Sequence, residues 1–259
     1  GMILMKKEKM NLHTAVRAAY LSKLVYSGEA LVKSSCDTFG YEKFKWFDKG
    51  GTQCFVAWDK ETNNLIICFR GTEPTELSDL LADLRAWPKR AQEKGRVHSG
   101  FANALNLVYS EIVEYLDAQQ FDDDCRITCT GHSLGAALAT IMASRLDANE
   151  LYTFGSPRIG NRAFVKEMNN DGIKHYRFVN NNDIVTKVPF PIRFVHHGEL
   201  IYINHHGNIR KMSPWQRLKD QWRGRMRALA KGQPFDGIFD HSMDFYYQKV
   251  QNVFIQSQK

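Results

Sequence analysis

Apolar residues recur along this chain with two periods, and the switches between them mark the elements. Val16, Ala19, Tyr20 and Leu24 fall at three- and four-residue spacing and predict a helix over 13–26. Thr52–Trp58 and Leu65–Phe69 are β-rich runs joined through the polar turn Asp59–Asn64, which predicts a hairpin. Leu77, Leu80, Leu81, Leu84 and Trp87 return to helical spacing until Pro88 stops it. Residues 89–97 are charged and aperiodic, and are expected to form a mobile loop. Phe101, Leu105, Val108, Ile112 and Leu116 predict a long amphipathic helix. The acidic turn Asp122–Asp124 closes it and is read as solvated rather than metal-binding.

The second half alternates more regularly. Arg126–Thr130 is a short strand, and Gly131–Gly135 leads from it into the helix-forming run Ala136–Leu146. Leu151–Phe154 and His175–Val179 are further strands, separated by the loop Gly155–Asn161 and a short helix over Ala163–Asn169. A second hairpin is expected through Phe194–His197 and Leu200–Asn204. Strands alternating with helices predict an α/β fold, with a mostly parallel central sheet and helices on both faces. Repeats, low-complexity tracts and Pro/Gly-rich linkers are absent, so residues 1–259 are read as a single domain.

Composition changes this picture in two places. The five cysteines (Cys36, Cys54, Cys68, Cys125 and Cys129) are odd in number and lack C-x-x-C spacing. Reduced, buried thiols are therefore expected rather than a disulfide framework. The N-terminal stretch shows no apolar run closed by a small-residue cleavage site, and no segment reaches the roughly 18 uncharged apolar residues of a membrane span. Together these features favour a cytoplasmic setting. The second place is charge. From Arg210 to Lys231 eight basic residues face one acid, which equals the whole net charge of +7.

Gly131-His132-Ser133-Leu134-Gly135 is the segment that carries chemistry. In a G-x-S-x-G turn between strand and helix, side chains at the flanking positions would collide, so glycine occupies both. The helix that follows aims free N–H groups and its positive dipole end at the serine, where negative charge develops in acyl transfer. The bland alternative is a glycine-rich structural turn. Its placement between a β-rich run and an Ala-rich helix favours a nucleophile.

GHSLGAALA (131–139) resembles the nucleophile elbow of the class 3 lipases, α/β-hydrolases that include fungal triacylglycerol lipases. FRGT (69–72), VHSGF (97–101), YTFGSPRIGN (152–161) and NNNDIVTKVP (180–189) resemble that family's further segments in the same order. The resemblance implies an α/β-hydrolase fold and a serine carboxylester hydrolase that acts on lipid esters through an acyl-enzyme, without cofactor or metal. Acylglycerols, phospholipids, lysophospholipids and short esters all fit. A non-catalytic lipase-like module that binds lipid or a partner is the alternative.

A serine hydroxyl needs a histidine to take its proton and a carboxylate to fix that histidine's tautomer. In this fold they follow in the order Ser, Asp or Glu, His. Asp183 lies just after the strand His175–Val179 and matches the family's acid loop, whereas Asp171 precedes that strand. Of nine histidines, His241 is late, loop-borne and followed by an aromatic helix start, and it resembles the family's terminal histidine. His197 is the runner-up, and His132 is expected to point away. The oxyanion hole is expected to use the Leu134 N–H and, by resemblance, Thr72, which could alternatively cap the next helix.

The basic run 210–231 also holds Trp215, Leu218, Trp222, Met226 and Leu229 near one helical face. That is the composition of a helix lying on an anionic membrane; a solvated face over packed tryptophans is the alternative, and nucleic-acid binding is disfavoured for want of a module. Replacing Arg217, Arg223, Arg225 and Arg227 with Gln is expected to weaken binding to anionic vesicles in a flotation assay. Hydrolysis of a soluble short-chain ester should hardly change. Equal loss on both would show that the arginines support the fold.

Overall fold

The computed structural model describes residues 10–71, 76–86, 89–204, 209–210 and 241–258. The chain opens with two helices, α1 (Leu12–Leu24) and α2 (Glu29–Thr38), before strands β1 (Glu42–Lys49), β2 (Thr52–Asp59) and β3 (Asn64–Phe69). Helix α3 (Leu77–Arg85), the short strands β4 (Arg90–Glu93) and β5 (Gly95–His98) and helix α4 (Ser99–Gln119) follow. Then β6 (Arg126–His132), α5 (Leu134–Leu146), β7 (Glu150–Phe154), α6 (Arg162–Asn170) and β8 (Lys174–Asn180) alternate strictly. Strands β9 (Glu199–Ile203) and β10 (Ile209–Arg210) and helix α7 (Met243–Ser257) complete the described elements.

The main sheet has eight strands in the order β1-β2-β3-β6-β7-β8-β9-β10. Its centre, β3 through β9, is parallel, and antiparallel β1-β2 and β10 flank it. Side-chain alternation divides the core. Cys54 and Val56 of β2 and Leu65, Ile67 and Phe69 of β3 face α3, α4 and α5. Phe55, Ala57, Ile66 and Cys68, one residue out of phase, face α1 and α2. On β7 and β8, Tyr152, Phe154, Tyr176 and Phe178 pack on that same side against α1 and α7. Helices therefore cover both faces, and the period of two along each strand is what makes both cores possible. Among the described residues no helix is long and apolar enough to cross a membrane. All five cysteines are unpaired, and burial pushes the Cys36 and Cys129 thiols up to about 12.

Two sequence expectations need correction, and one strand left no signal in the sequence. Residues 89–97 do not form a loose loop: β4 and β5 pair as an antiparallel hairpin, with Arg90 opposite His98. Backbone bonds from His98 to Ile159 and from Asn161 to Arg96 and the buried Val97 hold it, joined by ion pairs from Arg145 of α5 to Glu93 at 2.6 Å and from Lys94 to Asp147 and Asp171. The second hairpin is also different. Phe194–His197 forms only an isolated bridge, Val195 to Gly160, while Glu199–Ile203 joins β8 in parallel. Strand β1 was unreadable as a strand because its charged residues suit an exposed edge; only Phe47 is buried on it.

A buried histidine pair anchors the end of the 194–197 stretch at His197. Thr153 donates its hydroxyl to His175 Nε2 at 2.7 Å, His175 Nδ1 donates to His197 Nδ1 at 3.0 Å, and His197 Nε2 donates to Asn169 Oδ1 at 3.0 Å. Each proton has a place only when both rings are neutral. Burial, with the Arg177 charge behind it, pushes His197 down to about 4 from an ordinary 6.5, and burial pushes His175 well below 6.5 too. Protons therefore favour the unfolded chain: this stabilisation is whole above pH 6.5 and drains as pH falls towards about 4. Urea unfolding should show stability declining through that window, and His197→Gln should flatten the decline. Equal pH slopes for the two proteins would show that the pair does not titrate on unfolding.

Candidate active site

Strand β6 ends in a turn that few residues tolerate. Ser133, between β6 and α5, has φ 60° and ψ −125°, a conformation that costs ~1–3 kcal/mol for a residue with a side chain. It persists because the surrounding backbone is pressed together. A Cβ on Gly131 would lie 2.3 Å from Gly135 O, and one on Gly135 would lie 2.3 Å from Phe69 O at the end of β3. The Ser133 N–H donates to Phe154 O of β7 at 3.1 Å, and its carbonyl accepts from Ala136 and Ala137. The hydroxyl is fully buried and has no hydrogen-bond partner among the described residues.

Asp183 follows β8 by three residues and caps the 3₁₀ turn Ile184–Lys187, accepting the Val185 N–H at 3.0 Å on Oδ1. Its Oδ2 accepts from His241 Nδ1 at 2.8 Å and from the Tyr246 hydroxyl of α7. Because a carboxylate only accepts, Nδ1 of His241 carries a proton, and in the neutral ring Nε2 keeps its lone pair. That Nε2 is buried and lacks a partner among the described residues. Gly155, directly after Phe154, lies beneath the pair: a Cβ there would come within 2.6 Å of Asp183 Oδ2 and 2.8 Å of His241 Nδ1. Ser133, Asp183 and His241 thus converge at the C-terminal ends of β6, β7 and β8. His241 bonds Asp183 but forms no hydrogen bond with Ser133, a looseness common in sites without substrate.

The remaining sequence candidates separate clearly. His197 is engaged with His175 and Asn169, and Asp171 is paired with Lys94. Leu134 is the first residue of α5, so its N–H is among the amides that an α-helix leaves without an internal acceptor. Thr72 lies outside the described residues. His132 does not point away as expected. Its ring stacks on the His241 ring with centroids 4.4 Å apart, and it bonds the Tyr26 hydroxyl at 2.7 Å and His241 O at 2.5 Å. Sequence reading missed Tyr26, Tyr246 and the contact role of His132. Only Tyr246 left a trace, in the aromatic run after His241. No group of three or more His, Cys, Asp or Glu among the described residues is placed to hold a metal ion.

Comparison with known proteins agrees with this architecture. The model of the lipase (class 3) family matches residues 66–192, so His241 falls beyond the matched span. The chloroplastic phospholipase A(1) DAD1 of Arabidopsis thaliana is 32% identical over 209 residues, which cover 65% of this chain and 46% of that protein. The chain spans about half the length, or less, of the curated relatives it matches. A solved structure of Rhizomucor miehei triacylglyceride lipase aligns with TM-score 0.62 at 27% identity, covering 74% of this chain and 80% of that one. Another, of a triacylglycerol lipase whose catalytic centre is a serine protease triad, gives TM-score 0.61 at 26% identity with the same coverage, 74% and 80%. Residues 66–192, which carry the elbow and Asp183, match the class 3 lipase family, and the chain has the α/β-hydrolase fold of the solved lipases it aligns with.

Proposed function

We propose that this protein is a serine carboxylester hydrolase acting on lipid esters through an acyl-enzyme. Ser133 is the nucleophile, His241 the general base and Asp183 the group that fixes the His241 tautomer. The single observation carrying this reading is the Asp183–His241 hydrogen bond of 2.8 Å, which leaves a basic Nε2 in the same buried corner as a serine hydroxyl on a strained turn. Attack on the ester carbonyl transfers the hydroxyl proton to His241 Nε2, which returns it to the leaving alcohol; water then releases the acid by the same route. The Leu134 N–H supports an oxyanion role because it opens a helix whose dipole favours negative charge there. Thr72 remains the second donor in this proposal.

A lipid rather than a freely soluble ester is supported by the surface beside the acid. Phe190, Pro191 and Ile192 are three consecutive exposed apolar residues beyond the 3₁₀ turn that Asp183 caps, with Phe190 67% and Ile192 84% exposed. Such runs are unfavourable in water unless something covers them. The turn is held from below, since the Arg158 N–H donates to Val188 O and its guanidinium to Lys187 O and Pro189 O. Contact of the basic run 210–231 with an anionic membrane belongs to the same proposal, although 211–231 lies outside the described residues.

Labelling by a fluorophosphonate and turnover on an ester panel test the reading. Ser133→Ala should abolish labelling and lower turnover on the order of 10⁶-fold while circular dichroism stays unchanged. Activity within tenfold of wild type would overturn the nucleophile, and a wild-type chain that neither labels nor turns over would favour the non-catalytic module. Replacing both Phe190 and Ile192 with Ser should slow hydrolysis of a dispersed long-chain ester roughly 30-fold, each side chain contributing ~1 kcal/mol of partial burial in lipid. A soluble short-chain ester should be spared. Matching losses would argue that the turn supports the fold instead.

A further inference from the structure

His132 occupies the variable position of the elbow, one residue before Ser133, yet its side chain is built into the surroundings of His241. His241 stands two residues ahead of α7 and belongs to no helix or strand, so regular backbone bonding does not fix it. Asp183 holds the ring at Nδ1. His132 holds the other end of the residue: its Nε2 lies 2.5 Å from the His241 carbonyl oxygen, and the two rings stack at 4.4 Å with 27° between their planes. A carbonyl can only accept, so His132 Nε2 carries the proton, and Nδ1 must accept from the Tyr26 hydroxyl at 2.7 Å. Tyr26, from the 3₁₀ turn Val25–Ser27 after α1, thereby selects the His132 tautomer that can grip His241. Its own place is set in part by Arg70, whose guanidinium lies over the ring at 5.8 Å.

We propose that His132, oriented by Tyr26, is a positioning residue that aims His241 Nε2 at Ser133, and this rests on the triad reading above. The arrangement explains how a histidine outside regular structure keeps one orientation. The carboxylate fixes one ring nitrogen, the carbonyl grip fixes the backbone, and the stacked ring limits rotation between them. It also explains why the gripping residue carries no charge. Burial, and then the neighbouring His241, holds His132 well below its ordinary value. A neutral face beside His241 tolerates the imidazolium formed when Ser133 gives up its proton, whereas a second cation would repel it. A purely space-filling ring would need neither the donor nor the tyrosine.

Three variants test this, with turnover normalised to active sites counted by end-point fluorophosphonate labelling. His132→Phe keeps an aromatic ring but loses the donor, and kcat on a soluble ester should fall about 10²-fold, the cost of a misplacement near 1 Å. KM should stay within about twofold, since the substrate contacts are untouched. His132→Gln can offer an amide N–H to the same carbonyl and should recover at least tenfold of that loss. Tyr26→Phe, which frees the tautomer, should lie between. A structural role alone would lower the count of active sites and leave kcat per site unchanged, and that result, in any variant that folds, overturns the proposal. If His132→Phe does not fold, kcat per site in Tyr26→Phe at the wild-type level overturns it as well. Full activity of Ser133→Ala would instead remove the triad reading, so the two failures are distinguishable.

Discussion

A backbone squeezed so tightly that side chains are forbidden at two positions is what the site depends on. Gly131, Gly135 and the end of β3 approach within a distance that no Cβ could share, and Ser133 is bent into a strained positive-φ conformation between them. The strain is sustainable because β6 is clamped on both sides by parallel neighbours, β3 and β7. The same clamp brings the Ser133 N–H to Phe154 O, which places Gly155 under the acid and base. Packing of the strands, the turn at the serine and the floor of the site are one mechanical unit.

Two buried histidine clusters lie among the described residues, and they differ in a way that bears on chemistry. In the first, Thr153, His175, His197 and Asn169 use every ring nitrogen, so the chain of bonds is closed and stabilises the junction of β7, β8 and α6. In the second, Tyr26, His132, His241, Asp183 and Tyr246 satisfy every ring nitrogen except one, His241 Nε2. Leaving a buried polar atom without a partner costs on the order of 1–3 kcal/mol. Ser133 Oγ is likewise buried and unpartnered among the described residues, and in the proposed reaction the proton it gives up is the one His241 Nε2 takes. Burial alone would not distinguish the clusters; completeness of hydrogen bonding does.

What the sequence determined by itself is what short spacing controls. G-x-S-x-G lies within five residues, so its meaning is local and Ser133 could be read directly. The alternation along β2 and β3, and the helical repeats of α4 and α5, are likewise signals of neighbours in the chain, and the α/β fold followed from them. Asp183 was legible because it closely follows a recognisable strand. The tertiary structure decided the rest. His241 lies 58 residues from Asp183 and 109 from its His132 contact, so position and resemblance could favour it among nine histidines but only folding shows it bonded to Asp183. Tyr26 reaches His132 across 106 residues, and no periodicity records that contact. The hairpin at 90–98 and the edge strand β1 were hidden for a related reason: backbone bonds, ion pairs and edge pairing order charged residues without leaving an apolar repeat. Hydrophobic period reports which face of an element is dry, and it carries no information about which distant polar groups will share a buried proton.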